Sequence, residues 1–376
     1  MPKRIREESV SSPSLPSRLL ERLPVPIPRK RFFQDFTFDR LLEYISSIKG
    51  NIVILCGAGI STSVGIKDFR SLDSGIYSQI AASNHPLLAQ IGEPQEVFHY
   101  STFLNEPEIF YAASPIVLSS LLQPLSIPSL THHFITELDH KGKLLMCFTQ
   151  NIDGLETQAG VSSSHLIECH GNLKTASCLK CLTNVSIEKI LPSAMQGIVP
   201  YCEKVTKIRK IRQKKSKSSI EINPKSQASV SFCGGIMKPS CIFFNEPLPS
   251  TLLTSLQEVS KTAELLLVIG TSLNVAPVSY LPRMVKPNIP VVLINKERIS
   301  SSKSIEFDLE LIGNADDIIE LLLSRLGWSS SLSSSASLST TTSSSSSSSS
   351  STTTTRSITI TKSSSTNPVY IVSKSL

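Results

Sequence analysis

No stretch of the 376-residue chain approaches the roughly 20 uninterrupted apolar residues that a membrane helix requires. The first ten residues, MPKRIREESV, lack the hydrophobic segment of a secretory signal. These two absences predict a soluble, intracellular protein. Cysteine is sparse as well: eight in a chain of this length are too few for a disulfide scaffold, and in a reducing compartment paired thiols more often mark metal or redox chemistry. There is no internal repeat. What is present is 40% hydrophobic and 18% charged residues, enough apolar material for one large core and a second small module, which excludes a wholly disordered chain.

The net charge of +7 is unevenly placed. Residues 1–32 carry +5, residues 204–217 (KVTKIRKIRQKKSK) carry eight basic and no acidic side chains, and Arg356, Lys362 and Lys374 add three in the tail, so the remainder is −9. The globular part is acidic and the positive charge sits in appendages, so any nucleic-acid contact is expected to be peripheral. The basic run reads either as a nuclear-localisation or phosphate-binding patch or as a solvated loop. It has no interleaved aromatics to stack bases, and localisation is the favoured reading.

Ser, Pro and Arg alternate over the first 35 residues without a helical or strand period, which predicts a flexible arm (1–35). From 329 to 376 the chain is dominated by Ser and Thr, a composition that predicts disorder and a phosphorylation substrate. Between them, 36–328 reads as a folded region with a polar, basic insertion at about 203–229. Four apolar runs within it have the length and β-branched content of strands buried on both faces: 51–59 (NIVILCGAG), 143–151 (KLLMCFTQN), 263–272 (AELLLVIGTS) and 289–297 (IPVVLINKE). Helical patterns lie between them, so the fold class is α/β, a doubly wound parallel sheet of Rossmann-like type. Each run ends in small or polar residues, and in such sheets the ligand crevice lies beyond the carboxyl ends of the strands. A nucleotide-sized site there is the leading inference.

Gly57-Ala58-Gly59 after the first run would allow a tight turn and close approach to a pyrophosphate, although an isolated GxG is also a plain strand-to-helix turn. The next glycine, Gly65, is too distant for a dehydrogenase fingerprint, and the acidic residue that usually follows about 20 positions on is not evident, which disfavours a dehydrogenase. Asp68, Phe69 and Arg70 follow the turn, and a solvated loop rarely needs Phe there.

GAGIS (57–61), GIKDFR (65–70), TQNID (149–153), CHG (169–171), GTSL (270–273) and INKE (294–297), in that order, resemble the sirtuins, NAD-dependent protein-lysine deacylases, over about residues 36–328. The resemblance implies that Ala58, Gly59, Ile60, Ser61, Thr62, Asp68, Phe69 and Arg70 form the NAD-binding loop. It likewise implies that Gln150, Asn151, Ile152 and Asp153 hold the nicotinamide and its ribose, and that Gly270, Thr271, Ser272, Asn295, Lys296, Glu297 and Ala315 serve the adenosine half. His170 and Asn151 become the catalytic candidates. A histidine can take a proton from a ribose hydroxyl near neutral pH, whereas outside such a motif a structural histidine would be the default. His132 and His133 fall on a helical pattern and read as structural. The implied reaction has the acyl-lysine oxygen attack the ribose C1′ as nicotinamide leaves, giving free lysine and O-acyl-ADP-ribose. Histones are among the implied substrates, and nucleus or cytoplasm the implied location.

Cys56, Cys147, Cys169 and Cys241 lie in apolar runs and read as small buried hydrophobes. Cys178 and Cys181 form a C-x-x-C; 20 residues later comes Cys202, and a further 30 intervene before Cys233. Four thiolates suit tetrahedral zinc, with free or redox thiols as the alternative, since the second pair is far wider than a ribbon normally allows. The expected zinc is structural and its module spans about 172–240. Residues 234–249 (GGIMKPSCIFFNEPLP) are similar to the sirtuin strand that pairs with the substrate peptide, and Ile242, Phe244, Asn245 and Glu246 are the implied substrate contacts. Asn245 stands where the family usually has Gly, and Asn tolerates positive φ better than most residues. ADP-ribosyl transfer to protein and a non-catalytic chromatin-associated scaffold are the competing readings.

Overall fold

The computed structural model describes residues 26–122, 127–209, 229–300, 304–328, 358–362 and 369–374. Its strands, in chain order, are β1 (Ile52–Cys56), β2 (Leu144–Thr149), β3 (Leu166–Glu168), β4 (Gly171–Cys178), β5 (Asn184–Ser186), β6 (Val205–Arg209), β7 (Ser229–Phe232), β8 (Met237–Cys241), β9 (Leu265–Ile269), β10 (Val291–Asn295), β11 (Leu309–Ile312), β12 (Ile358–Lys362) and β13 (Val369–Lys374). The described residues fall into two compact units, one drawn from 1–75, 123–170 and 246–376 and the other from 76–122 and 171–245.

The first unit is built on one sheet of order β12-β13-β11-β10-β9-β1-β2-β3, parallel throughout except for the antiparallel β12–β13 pair. Its central strands are the four apolar runs, and every residue of β1 and β9 is buried. Because successive side chains of a strand alternate faces, Ile52, Ile54 and Cys56 enter one core, with Leu265, Leu267 and Ile269, while Val53, Leu55, Leu266 and Val268 enter the other. Helices Phe38–Ser47, Leu130–His140 and Ala315–Leu326 cover the first face; Ser250–Thr262 and Leu281–Met284 cover the second. The doubly wound α/β reading therefore holds. The chain leaves β1 toward β2 on one side and returns through β9 on the other, so the topological switch point, where such sheets bind ligands, lies between β1 and β9.

Two expectations for the chain ends require correction. The predicted disordered tail contains β12 and β13, and β13 pairs with β11 in the register Glu310↔Val369, Leu311↔Tyr370, Ile312↔Ile371. Composition averaged over the Ser/Thr tail conceals the run Val369–Lys374, whose Val369 and Val372 are buried and whose Lys374 pairs with Glu320 at 2.6 Å. The predicted flexible arm is fixed from residue 26 onward, because the Arg29 guanidinium meets the buried Asp308 carboxylate at 2.8 Å. Residues 1–25, 329–357 and 363–368 lie outside the described residues, as do 210–228 of the basic insertion.

The second unit holds the antiparallel sheet β5-β4-β8 and the two-stranded ribbon β6-β7. Helices Ile76–Ala81, Tyr100–Asn105 and Pro107–Leu121 accompany the expected zinc module in this unit. A module of about 70 residues is small for a core of its own, and the helices supply one. Phe98, Phe103, Phe110 and Phe243 form an edge-to-face cluster, and buried Tyr111 donates its hydroxyl to the Met237 carbonyl.

Candidate active site

The ends of β1, β2 and β9 are tied together by hydrogen bonds at the switch point. Gly57 N–H donates to the Ile269 carbonyl at 3.1 Å and Gly59 N–H to the Gly270 carbonyl at 2.8 Å. The two loops touch so closely that a Cβ on Gly59 would lie 2.6 Å from the Gly270 Cα, and Gly270 itself has φ +61°. Only glycine permits that approach. Ala58–Ile60 makes a single 3-10 turn, with Ile60 anchored in the core and Ser61 buried behind it, while Thr62 is exposed.

From β2, Gln150 Nε2 donates to Thr271 Oγ1 at 2.9 Å, and Thr271 Oγ1 also accepts from Leu273 N–H. Asn151 is buried and its Nδ2 donates to the Gly57 carbonyl and to Ser61 Oγ, both at 3.2 Å. Ser61 Oγ in turn donates to Asp153 Oδ2 at 2.8 Å. Ile152 is buried beside them. Thus the proposed nicotinamide-side residues of two separate motifs form one bonded chain, Gly57–Asn151–Ser61–Asp153.

His170 lies at the exit of β3. Its Nδ1 is 2.9 Å from the Gln150 carbonyl, and since a carbonyl only accepts, Nδ1 carries the proton and Nε2 presents a lone pair. Nε2 is buried and has no hydrogen-bond partner. Burial lowers the pKa of His170, and the nearby Arg70 cation reinforces this against the opposing Gln150 bond, so the ring is a neutral base at pH 7. Asp68 accepts from Arg70 N–H, Ser71 N–H and Ser71 Oγ; although burial alone would raise its pKa, these bonds hold it below the usual carboxylate range. Phe69 completes this segment.

At the other end of the switch, Ser272, Lys296 and Glu297 are exposed on the loops after β9 and β10, and Asn295 Nδ2 donates to the Glu297 carbonyl at 2.8 Å. Ala315 opens the helix Ala315–Leu326, capped by the Asn314 side chain, and is buried against the first core. Glu246 belongs to the same unit and is half-buried.

In the second unit, Phe244 is bonded through its backbone on both sides, N–H to the Phe98 carbonyl and C=O from Tyr100 N–H, and its ring stacks obliquely on His99. Ile242 is half-buried, and exposed Asn245 has φ +64°, the left-handed conformation for which Asn is the natural replacement for Gly. Phe243, not Phe244, enters the aromatic core.

The four cysteines converge. Their Sγ atoms all lie within 4.8 Å of one another, with Cys178–Cys233 and Cys181–Cys202 both at 3.7 Å. A tetrahedron with metal–sulfur bonds of about 2.3 Å has edges of about 3.8 Å, so the set matches a tetrathiolate centre. The wide gap between Cys202 and Cys233 is closed by the β6-β7 ribbon, whose base pairs Cys233 N–H with the Lys204 carbonyl and Gly234 N–H with the Cys202 carbonyl. Lys180 and Cys181 N–H groups both donate to Cys178 Sγ at 3.4 Å, and a Cβ on Gly235 would fall 2.5 Å from that sulfur.

The model for the family described as "Sir2 family" matches residues 57–277. The chain belongs to the Sir2 family. Among its curated relatives, the NAD-dependent histone deacetylase SIR2 of Saccharomyces cerevisiae is 38% identical over 308 residues, covering 80% of this chain and 52% of that protein. The NAD-dependent protein deacetylase HST1 of the same yeast is 36% identical over 294 residues (78% and 56%). The NAD-dependent protein deacetylase hst2-2 of Emericella nidulans is 35% identical over 300 residues (79% and 74%). The chain spans about half the length of the SIR2 relatives it matches. Among the described residues, no helix is long and apolar enough to cross a membrane. The Sir2 motifs account for His170, Asn151 and the strand-end loops. They do not single out Glu156, which is fully buried behind Asp153, or His132, whose helical periodicity marks it only as core-facing.

Proposed function

We propose that the chain is an NAD-dependent protein-lysine deacetylase with His170 as its general base. The observation that carries this reading is the buried, unpartnered Nε2 of His170, held as a lone pair by the Nδ1–Gln150 bond at the switch point of the sheet. A merely structural histidine would have both nitrogens bonded. The names of the Sir2 relatives support the cofactor and the reaction class.

The residues present fit NAD: an orphaned acceptor at one end, glycine-to-glycine contact between the β1 and β9 loops, and polar strand ends on either side. When bound, NAD supplies the electrophilic ribose carbon and the ribose hydroxyl on which this chemistry depends. His170 takes the proton from that hydroxyl. Ala58–Thr62 with Asp68–Arg70 hold the dinucleotide, and Asp68, fixed by three donors, sets the loop that presents Arg70. Gln150, Asn151, Ile152 and Asp153 bind and orient the nicotinamide end. Gly270, Thr271, Ser272, Asn295, Lys296, Glu297 and Ala315 serve the adenosine end.

Ile242, Phe244, Asn245 and Glu246 contact the acyl-lysine peptide. β8 is an edge strand of its sheet, a setting that suits main-chain pairing with a peptide of variable sequence. Cys178, Cys181, Cys202 and Cys233 hold a structural zinc, since four protein ligands leave no position for a catalytic water. Histones are proposed substrates, and the nucleus is the proposed location, addressed by the basic run at 204–217.

The test is incubation of the full chain with NAD and an acetyl-lysine peptide library, following peptide mass and nicotinamide release, with His170→Ala alongside. Loss of acetyl mass that requires both NAD and His170 is expected. Gain of ADP-ribose mass on protein would replace the reading with transferase activity, and absence of NAD turnover would leave the scaffold.

A further inference from the structure

Behind the strand-end site lies a group of titratable side chains that the proposed mechanism does not use. A ring nitrogen of His132 and one carboxylate oxygen each from Asp153 and Glu156 lie within 4.8 Å of one another, with His132 and Glu156 buried. Ser129 N–H donates to His132 Nδ1 at 3.1 Å, so Nδ1 is the acceptor and the neutral ring carries its proton on Nε2. Nε2 is buried and without a hydrogen-bond partner. With Nδ1 occupied by Ser129, the Nε2–H is the group left to face the two acids. A metal ion at this point would need a lone pair on Nε2 and hence a proton on Nδ1, exactly where the Ser129 N–H already points, so the arrangement suits a shared proton better than a cation.

Two carboxylates this close in a buried setting cannot both ionise at ordinary cost. Asp153 has both oxygens bonded to donors, Oδ1 to Leu155 N–H at 3.0 Å and Oδ2 to Ser61 Oγ at 2.8 Å, which favours its anion. Glu156 accepts from Thr149 Oγ1 at 2.5 Å and more weakly from Cys56 Sγ at 3.7 Å. The proton therefore resides on Glu156.

We infer that His132 and Glu156 are positioning residues of this site: with Asp153 they hold one shared proton, and that proton keeps Asp153 on Ser61 and thereby Asn151 on Gly57. The inference rests on the proposed reading of the strand ends as the nicotinamide site. Loss of the proton places a second negative charge beside Asp153 and drives it from Ser61 Oγ, the group that also accepts from Asn151 Nδ2.

The surroundings are consistent with this. Burial, and then the Asp153 charge, raise the Glu156 pKa to about 7, and burial lowers that of His132 to about 4, so the ring stays neutral. The other titratable groups around Glu156 are Cys56 on β1, Cys147 on β2 and Cys169 after β3, all thiols pushed up and therefore neutral. Glu168 acts on Asp153, and Asp316 and His133 act on His132.

The test has two arms on the full chain. Infrared difference spectra titrated from about pH 5 to 9 should show a buried protonated carboxyl band lost with a midpoint near 7, absent in Glu156→Gln and moved to lower pH in Asp153→Asn. Nicotinamide release over the same range should fall about tenfold per pH unit on the alkaline side in the wild type and stay within about twofold in Glu156→Gln. Absence of a titrating band between about pH 6 and 8, or an alkaline limb unchanged in Glu156→Gln, overturns the inference. A band that titrates as stated in a protein that cleaves no NAD supports the shared proton and overturns the nicotinamide reading instead.

Discussion

Arg29 and Asp308 form a buried ion pair, with Nη2 2.8 Å from Oδ2 and side-chain exposures of 3% and 0%. Asp308 also accepts from the N–H groups of Phe32, Phe33 and Val291, so one carboxylate fastens the N-terminal segment to the strand β10. Breaking one partner of such a pair leaves the other buried and uncompensated. Asp308→Ala is expected to cost about 3–5 kcal/mol, read as a lowered urea midpoint, and to expose residues 26–35 to limited proteolysis. Proteolysis unchanged from wild type would show that the segment is held by its other contacts.

His170 should set the acid side of the activity profile. Its folded pKa lies below the ordinary histidine value, so the base is lost only as pH falls through that lowered value. The acid limb of kcat/KM for nicotinamide release coupled to deacylation is expected below about pH 6.5. His170→Ala should reduce turnover by about 100-fold or more. An acid limb above the ordinary histidine value would contradict the burial that lowers it.

Metal removal should act on the second unit. Chelation, or Cys233→Ser, is expected to abolish its cooperative unfolding transition, since structural zinc sites contribute folding free energy directly. Gly235→Ala should weaken zinc retention in a chelator competition, because the added methyl meets Cys178 Sγ. Metal analysis of the purified protein that finds no zinc would remove the basis of both expectations.

Truncation after residue 328 tests the tail. It removes β12 and β13, leaves β11 as an unpaired edge and strips Val372 from the core. Edges of that kind pair with other chains. The truncated protein should unfold several degrees lower and form concentration-dependent aggregates in light scattering, while its zinc content stays the same. Full stability after truncation would reduce the tail strands to an adornment.

Glu156 should tilt the pH dependence of stability. Its folded pKa of about 7 is above its ordinary value of 4.5, so its contribution to stability declines as pH rises from 4.5 to 7 and is constant beyond. Relative to Glu156→Gln, the wild type should lose on the order of 3 kcal/mol across that window, measured from urea midpoints at a series of pH values. Parallel curves for the two proteins would mean that Glu156 ionises freely.

The sheet was legible because β1, β2, β9 and β10 are apolar enough to be buried on both faces, which no surface element imitates. β12 and β13 were not, because six apolar-alternating residues disappear into a Ser/Thr-rich background, and Arg29 was not, because its partner is 279 residues away. The candidate site was legible where its residues sit in contiguous motifs at strand ends. Gln150 meeting Thr271, and Asn151 meeting Ser61, are long-range pairs that a linear reading can only assemble by resemblance. Glu156 and His132 escaped because burial of a charged group leaves no periodicity of its own, and Cys202 with Cys233 looked irregular because the ribbon that joins them is itself part of the intervening chain.

That ribbon has an evolutionary corollary. Since β6 and β7 pair at their base before the chain departs, the distance between the last two thiolates is set by two hydrogen bonds and not by the number of residues looped out beyond them. The metal centre is blind to the insert. Sequence can be added, deleted or exchanged between 210 and 228 with the ligand tetrahedron undisturbed, which makes this hairpin a socket where a lineage can install a new address or a new recognition element without renegotiating the fold.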